Sequence, residues 1–509
     1  MQLIDLVRTS SDVASTSGRL DKIAKLAALL KRLDPDEVPI AIGFLIGWPR
    51  QGRIGIGWST ISSARGQASA EASLELRDVD RVFSELKEVK GKRSAAERLR
   101  LLNDLLVRAT ADEQEFLSAL AIGEVRQGAL EGVLLEAVAR AASLPSDRVR
   151  RAVMLAGDLA TVASDVLGGA GEGALSTYQL ELFRPVQPML ADSAPNVEAA
   201  LREIGLASIE WKLDGARIQV HKSGDRVAVY TRSLNDVTAA VPEVTEVLRR
   251  LSVRELILDG EVIALATDGK PYPFQVTMRR FGRRLDVDAL RAELPVTPFF
   301  FDLFWCNGTD YLDRPLSERL AQLDEVLPPV MRVPRIVTGD AAEAAQFEAD
   351  ALGRGHEGVM VKSLTAPYAA GRRGSAWIKV KTARTLDLVV LAVEWGSGRR
   401  QGWLSNLHLG ARDPVNGGFV MLGKTFKGMT DELLEWQTKE LLARETHREG
   451  HIVYVRPELV IEIAFNDVQR SPHYPGGVAL RFARVKGYRP DKRPAEADTI
   501  DAVRAFLPS

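Results

Sequence analysis

The chain has 509 residues, of which 46% are hydrophobic and 27% charged, and its 67 Lys and Arg nearly balance its 68 Asp and Glu. This composition is typical of globular protein, and ordinary domain sizes predict about three domains. Cys306 is the only cysteine, which excludes intrachain disulfides and multi-cysteine zinc sites and favours a reducing, cytoplasmic setting. We find no signal sequence and no apolar run that could span a bilayer, so we expect no membrane association.

Helical patterns run through the first third of the chain. Apolar residues recur at the spacing of one helix face between Ile23 and Leu30. Thr110 and Glu113 have the spacing of a capping box, which predicts the start of another helix. We therefore predict an all-α domain over residues 1–180.

Glycine and proline interrupt this region. Segment 43–57 contains five glycines among apolar residues, which favours a packing loop, with close approach of the backbone to a ligand as the alternative. Glycines within 168–173 and prolines within 183–188 predict a linker and the first domain boundary.

Beyond residue 190 strand patterns alternate with helical ones, which predicts an α+β domain over 190–384. After that, short strands are separated by glycine-rich turns, and one helix is expected at 430–443. This pattern predicts a small β-barrel with an inserted helix over residues 385–509.

One hairpin in the middle domain carries an unusual set of charges. Two alternating strand patterns, at 217–221 and 227–230, flank turn residues at 223–225. Immediately before them, Glu210 and Lys212 are expected on one strand face. By itself this pattern is typical of a solvated hairpin.

Four further clusters of functional-type side chains follow in the same domain. They are Asp259 with Glu261, Asp302 within the aromatic run 299–305, Glu357 with Lys362, and Trp377 with Lys379 and Lys381. Singly, each is compatible with an ion-paired strand end, a core strand or an edge strand protected by lysines. Together they indicate one site.

Such a site suits a nucleoside triphosphate and a metal ion. Converging lysines and arginines match phosphate charge, carboxylates supply oxygen ligands for Mg²⁺, and an aromatic face suits a purine. A lysine among other cations has a lowered pKa, which would allow Lys212 to attack an α-phosphate and hold a nucleotide through a P–N bond.

The order of these clusters resembles the covalent nucleotidyltransferase motifs of ATP-dependent DNA ligases. The matching residues are Lys212-x-Asp214-Gly215-x-Arg217 with Arg232, Asp259-Gly260-Glu261, Phe301-Asp302, Glu357-Gly358-x-x-x-Lys362, Lys379-x-Lys381 and Arg489-x-Asp491-Lys492. The resemblance implies a multidomain fold: an all-α N-terminal DNA-binding domain, an α+β nucleotidyltransferase (adenylation) domain and a C-terminal β-barrel of the OB-fold type.

The resemblance also implies a role for each residue. Lys212 would be the catalytic nucleophile that carries AMP. The residues that would contact ATP are Glu210 at the adenine amino group, Phe301 stacked on adenine, Glu261 at the ribose, and Arg373, Lys379 and Lys381 at the phosphates. Arg217 and Arg232 would contact ribose or DNA phosphate. Arg489, Asp491 and Lys492, from the C-terminal barrel, would orient the leaving pyrophosphate. Asp214, Glu261 and Glu357 would hold Mg²⁺, or Mn²⁺ in its place.

The implied substrates are ATP and nicked duplex DNA. A looser match at 123–128 and 183–190 is similar to the helical DNA-binding domain of three-domain ligases. Residues 362–430 contain eleven Lys and Arg against three Asp and Glu, a bias suited to phosphate contacts. We expect a cytoplasmic monomer whose flexibly linked domains encircle DNA.

Several other functions compete with this one. Segment 418–425 matches the P-loop pattern, but its centre is an apolar strand pattern with no helix start after it, which disfavours a P-loop ATPase. RNA ligases and capping-type guanylyltransferases share the lysine chemistry, and the large helical domain favours duplex DNA over their substrates. NAD-dependent ligases are disfavoured because one cysteine cannot build their zinc module. A non-enzymatic DNA-binding protein would have no use for the lysine-centred cluster.

Overall fold

The computed structural model describes residues 1–52, 54–91, 94–125, 131–169, 171–272, 274–282, 287–370, 373–381 and 384–507. By its internal contacts the chain divides into two compact units, Met1–Val380 and Lys381–Ser509. Within the described ranges, no helix combines the length and the apolar character needed to cross a membrane.

The N-terminal part of the first unit is helical, as predicted. Its helices, in the part of the chain that the structure describes, are α1 (Leu3–Ser15), α2 (Arg19–Leu30), α3 (Val38–Ile46), α4 (Trp58–Ala64), α5 (Leu76–Glu88), α6 (Ser94–Val107), α7 (Ala111–Ile122), α8 (Glu131–Ala142), α9 (Ser146–Ala156), α10 (Leu159–Leu167) and α11 (Gly171–Leu175).

Local sequence explains several of these helices. The apolar face of α2 is buried from Ile23 to Leu30, and the N–H of Thr110 donates to the Glu113 carboxylate at 2.8 Å to close the predicted capping box of α7.

In the glycine-rich segment, Ile54 and Ile56 are buried, as a packing loop requires. Of the looser match at 123–128, positions 126–128 lie outside the described residues.

The predicted linker is packed against the strands that follow it. The N–H of Phe183 donates to His221 Nδ1 at 2.9 Å, and the N–H of Val186 donates to Gln219 Oε1 at 2.8 Å. Burial lowers the pKa of His221 to about 3, so the ring stays neutral and can accept this bond. One hydrophobic core joins the helices to Phe304 and other residues of the middle region. These contacts replace the flexible link that we expected at this junction.

The middle region contains strands and helices in alternation. In the described residues they are β1 (Leu190–Ala194), α12 (Val197–Ile204), β2 (Ala207–Trp211), β3 (Ala216–Ser223), β4 (Arg226–Thr231), α13 (Pro242–Arg249), β5 (Glu255–Ala264), α14 (Phe274–Gly282), α15 (Val287–Glu293), β6 (Val296–Cys306), β7 (Thr309–Asp310), α16 (Leu316–Val326), β8 (Arg335–Thr338), α17 (Ala341–Gly353), β9 (Gly358–Ser363) and β10 (Arg373–Lys381).

These strands form two sheets. Sheet 1 has the order β1-β10-β9-β2-β8, and sheet 2 has the order β4-β3-β5-β6-β7. The predicted hairpin is β3–β4, in which Ser223 is paired with Arg226 across the turn. The strand that carries Glu210 belongs to sheet 1, however, so the chain crosses between sheets just after it.

The second unit is mainly strands, with one long helix. Its described elements are β11 (Arg384–Trp395), β12 (Leu404–Arg412), β13 (Phe419–Thr425), α18 (Asp431–Leu442), β14 (Glu445–Glu449), β15 (Ile452–Val455), β16 (Val460–Phe465), β17 (Asp467–Arg470), β18 (Val478–Arg481), β19 (Arg484–Tyr488) and α19 (Ile500–Arg504).

The strand pairing of this unit centres on β11. Its first half pairs with β16 and its second half with β12 and β15, while β13 and β14 extend the sheet at its two ends. Among the described strands these pairings do not close into a ring. The segment that matches the P-loop pattern is β13, as its apolar residues predicted, and no helix follows it directly.

Candidate active site

Lys212 lies where the chain leaves β2 and crosses to β3 in the other sheet. Its N–H donates to Gly358 O at 2.9 Å, and its carbonyl accepts the N–H of Glu357 at 3.1 Å. At the end of the crossing, a Cβ on Gly215 would lie 2.3 Å from Val262 O, so only glycine fits. The backbone on both sides of the lysine is therefore fixed against neighbouring strands.

The side chain of Lys212 is 21% exposed, and its Nζ contacts the Glu357 carboxylate. Burial lowers the pKa of this lysine, while the charges of Glu357, Glu261 and Asp214 raise it, and the net direction is upward. The expected lowering of this pKa by neighbouring cations is therefore wrong. The groups with the strongest influence on Nζ are carboxylates, which favour its charged form.

The same carboxylates are the candidate metal ligands. Burial raises the pKa of Glu261 to about 7, against the opposing charges of Lys212 and Arg217. Among the described residues, no three His, Cys, Asp or Glu side chains are grouped so that they could hold a metal ion by themselves. Mg²⁺ usually takes one or two carboxylates together with phosphate oxygens and water. Asp214, Glu261 and Glu357 offer donors of that kind, so they fit a metal that arrives with a nucleotide.

A buried ion pair lies beside an aromatic corner. Lys362 Nζ is 2.5 Å from Glu210 Oε2, and Ser208 Oγ donates to Glu210 Oε1 at 3.2 Å. The ammonium lies 4.3 Å from the ring centre of Phe301 and 4.2 Å from that of Trp377. The two rings meet edge to face at 81°. The structure thus brings Glu210 and Phe301, both predicted to contact adenine, to the same lysine.

Arg217 belongs to an interior network. Its Nε donates to Asp259 Oδ1 at 3.1 Å and its Nη2 to Asp259 Oδ2 at 2.6 Å. Its Nη1 donates to Met189 O at 2.8 Å, and its Nη2 lies 3.1 Å from the Tyr368 hydroxyl. Burial lowers the pKa of Arg217, but Asp259 outweighs this and the net direction is upward. Arg217 therefore ties sheet 2 to the segment that precedes β1.

The other predicted phosphate contacts are more scattered. Arg232 is exposed immediately after β4 and makes no ion pair within the described ranges. Lys379 and Lys381 are half-buried and alternate with buried residues of β10, on the same face as Trp377. Arg373 starts that strand, and its side chain lies outside the described part of the chain.

In the second unit, two predicted cations contact one acid, Asp387. Arg489 Nη1 lies 3.3 Å from both oxygens of Asp387, and Lys492 Nζ contacts Asp387 Oδ2. Arg489 is also paired with Asp491, through bonds of 2.9 and 2.6 Å. These cations are therefore held in place by carboxylates of their own unit.

Comparison with known proteins identifies the family. Three family profiles match: "DNA ligase N terminus" over 58–139, "ATP dependent DNA ligase domain" over 188–381 and "ATP dependent DNA ligase C terminal region" over 400–492. A "Probable DNA ligase" of Anaeromyxobacter sp. (strain Fw109-5) is 58% identical, over 99% of this chain and 98% of that protein. Another, of Sorangium cellulosum (strain So ce56), is 56% identical, over 99% of this chain and 95% of its own length. The chain belongs to the ATP-dependent DNA ligase family.

A solved structure agrees with the fold of this ligase family. The chain described as "Pmar-Lig_PreS3" is 17% identical and covers 95% of this chain and 99% of its own length, with a TM-score of 0.63. The chain thus has the multidomain fold of an ATP-dependent DNA ligase, with a helical N-terminal region, a nucleotidyltransferase region and an OB-like C-terminal region.

Two residues of this candidate site received no role from the sequence. Lys362 ends the cluster that begins at Glu357, but its partner Glu210 is identified only by the register of β2 and β9. Tyr368 donates to Asp259 at 3.1 Å and accepts the N–H of Met189 at 2.8 Å. No pattern around Tyr368 signals this role, because its partners come from three separate segments.

Proposed function

We propose that the protein seals nicks in duplex DNA with ATP, through a covalent intermediate in which Lys212 carries AMP. The observation that carries the proposal is the position of Lys212: its backbone is bonded to Glu357 and Gly358 where the chain crosses between the two sheets, and its Nζ touches Glu357. ATP-dependent DNA ligation is the activity of the family to which the chain belongs. The residues in the first unit supply the acids, the cations and the aromatic face that such chemistry needs.

The proposed reaction has three transfers. Lys212 Nζ attacks the α-phosphorus of ATP, a P–N bond forms, and pyrophosphate leaves as the α–β phosphoanhydride breaks. The 5′-phosphate at the nick then attacks the same phosphorus, which frees the lysine and leaves AMP joined to the DNA end. Finally the 3′-hydroxyl attacks the 5′-phosphate and releases AMP. The ammonium must lose a proton before the first attack, and the Glu357 carboxylate is in contact with it.

The nucleotide would lie over the aromatic corner. In this proposal adenine stacks on Phe301, and its amino group donates to Glu210. Its ribose lies near Glu261. Arg217 keeps Asp259 and Met189 in place, and with five donors in its guanidinium it can still reach a ribose or DNA phosphate oxygen.

The phosphates would contact the lysines and arginines of the nucleotidyltransferase motifs. We assign Lys379, Lys381 and Arg373, at the two ends of β10, to the ATP phosphates, and Arg232 to ribose or DNA phosphate. Asp214, Glu261 and Glu357 would hold Mg²⁺, or Mn²⁺ in its place. When bound, the ion supplies positive charge that neutralises the phosphate oxygens around the reacting phosphorus.

The domain plan extends the proposal to DNA. We assign residues 1–180 to DNA binding, 190–384 to adenylation and 385–509 to an OB-fold, and each matched family profile falls within these bounds or close to them. Helix α18 between β13 and β14, and β11 shared by several partners, support a partly open barrel of the OB type. We further propose a cytoplasmic monomer that encircles a nicked duplex.

Covalent labelling tests this function. The protein is incubated with Mg²⁺ and ATP labelled at the α-phosphate, and denaturing electrophoresis is expected to show label on the chain. Label at the γ-phosphate is expected to be lost with pyrophosphate. Labelled GTP and labelled NAD are run in parallel. A chain that takes no label from ATP contradicts the proposal, and a chain labelled by GTP instead indicates guanylyltransferase chemistry.

Arg489 and Lys492 provide a second prediction. We propose that they orient the leaving pyrophosphate, so Arg489→Ala and Lys492→Ala should slow self-adenylylation at least about tenfold, since each removes a charged hydrogen bond. Sealing of a nick that already carries AMP should persist, because no pyrophosphate leaves in that step. Arg493→Ala is a matched control, since Arg493 is exposed and paired with Glu496. Equal loss of both steps in the first two variants would assign them another role.

A further inference from the structure

Lys362 is a buried lysine that the proposed reaction does not use. Its side chain is 1% exposed and that of its partner Glu210 is 3% exposed. Glu210 on β2 is paired in register with Met360 on β9, so Lys362 reaches it diagonally across the strand pair. Two charges withdrawn from water to this extent are stable only with close mutual contact, which the 2.5 Å separation provides.

The ammonium group also lies against the rings of the proposed base site. It is 4.3 Å from the ring centre of Phe301, 4.2 Å from that of Trp377 and 3.5 Å from Phe301 O. Lys362 therefore contacts both the ring on which a base would stack and the carboxylate that would read the edge of that base. A lysine that only held two strands together would not need to touch both groups.

Charge decides what Glu210 can recognise. An ionised carboxylate is only an acceptor, whereas a protonated one can also donate. Adenine presents a donor at position 6, its amino group, while hypoxanthine and guanine present an oxygen acceptor there. A buried carboxyl without a cation takes up a proton more readily, and it could then donate to that oxygen.

We propose that Lys362 is a specificity-determining residue, which keeps Glu210 an acceptor and so selects adenine over 6-oxopurines. The proposal rests on the proposed function, in which Glu210 and Phe301 contact the base. Lys362 acts through Glu210 and holds no reacting atom. Its effect should therefore appear in the choice of nucleotide.

The test compares self-adenylylation with ATP and with inosine triphosphate, both labelled at the α-phosphate. The measured quantity is the ratio of kcat/KM for ATP to that for inosine triphosphate. Lys362→Met is expected to lower this ratio at least about tenfold, the value of one hydrogen bond to a charged group. Lys362→Arg keeps the charge and should retain most of the discrimination.

Lys222→Met is the matched control. Lys222 is also buried, but its ammonium donates to backbone carbonyls, among them Leu251 O at 3.2 Å, and it has no contact with Glu210. Its replacement removes a buried lysine from the same unit, and the ratio should stay within about twofold of wild type, since Lys222 contributes no hydrogen bond to the base site.

A second pair of variants tests the inference even if Lys362→Met does not fold. Glu210→Gln should lower the ratio because an amide can donate to a 6-oxygen. Adding Lys362→Met to Glu210→Gln should change the ratio little further, because both changes act through the same carboxyl group. The double variant leaves no uncompensated buried charge and should fold even where Lys362→Met does not.

The outcomes separate the two proposals. A wild-type chain that takes no label from ATP contradicts the proposed function and this inference with it. A labelled wild type with an unchanged ratio in Lys362→Met overturns the inference alone. If Lys362→Met does not fold, a wild-type ratio in the double variant overturns it. The inference is also overturned if Lys362→Met and Glu210→Gln each lower the ratio and the double variant lowers it by the product of the two effects.

Discussion

Replacing Lys212 with alanine is expected to abolish transfer of AMP from ATP to the protein, by at least about a thousandfold, because removal of a covalent nucleophile removes the reaction path itself. The neighbouring acids Glu357 and Glu261 act on the lysine through their charge, and neither can form the P–N bond of the proposed intermediate. The measurement is label from α-labelled ATP that remains on the chain after denaturing electrophoresis.

Two controls sharpen this result. Lys270→Ala changes an exposed lysine in the same unit that is paired only loosely, at 3.6 Å, with Asp268, and it should be labelled like wild type. A nick that already carries AMP should still be sealed by Lys212→Ala, because the last transfer needs no lysine nucleophile. Label that persists on Lys212→Ala would show that another residue carries the nucleotide.

Arg319→Met is expected to destabilise the middle region by about 3–5 kcal/mol, because it leaves a buried charge without its partner. Arg319 on α16 and Asp302 on β6 are fully buried, and two bonds of 2.7 and 3.0 Å join them. The arginine also donates to Arg314 O at 2.7 Å and to Ala366 O at 3.1 Å. It therefore holds β6, α16 and the segment after β9 together.

Hydrogen exchange measures this loss locally. Peptides that cover β6 should lose protection by about a hundredfold to several thousandfold, since local opening follows the free energy of unfolding. Replacing both partners, Arg319→Met with Asp302→Leu, should recover much of the protection because no buried charge is left unpaired. Arg202→Met, in an exposed pair with Glu198, should change protection by less than threefold, or about 0.5 kcal/mol. Similar protection in Arg319→Met and wild type would contradict the assigned role.

Local pattern was sufficient for most secondary structure. The helix face from Ile23 to Leu30, the capping box at Thr110, the hairpin of β3 and β4 and the helix at 430–443 were all predicted, because hydrophobic period and capping chemistry act over a few residues. The packed junction at 183–189 was not predicted. Its prolines indicate a linker. Its backbone N–H groups are in fact hydrogen-bonded to His221, Gln219 and Tyr368, which are distant in sequence.

The ion-pair partners of the charged residues differ most from what the sequence predicts. The cations near Lys212 in sequence suggested a lowered pKa, but Arg217 is turned to Asp259, and Lys362 to Glu210. What remains around Lys212 Nζ is negative charge, so its pKa moves upward. Charge pairing depends on distance in space, and one residue of strand register decides which face a side chain occupies.

The sequence by itself determined which regions are helical and which are rich in strands. It also determined which residues match the nucleotidyltransferase motifs, with Lys212 as the candidate nucleophile. These results depend only on residue type and short spacing. Only the tertiary structure decided that the chain crosses between two sheets at Lys212 and that Glu357, 145 residues away, touches its Nζ. The physical reason is that β2 and β9 pair as neighbouring strands, and this pairing brings Glu357 to Lys212. No local sequence pattern shows which strands will pair when they lie so far apart along the chain.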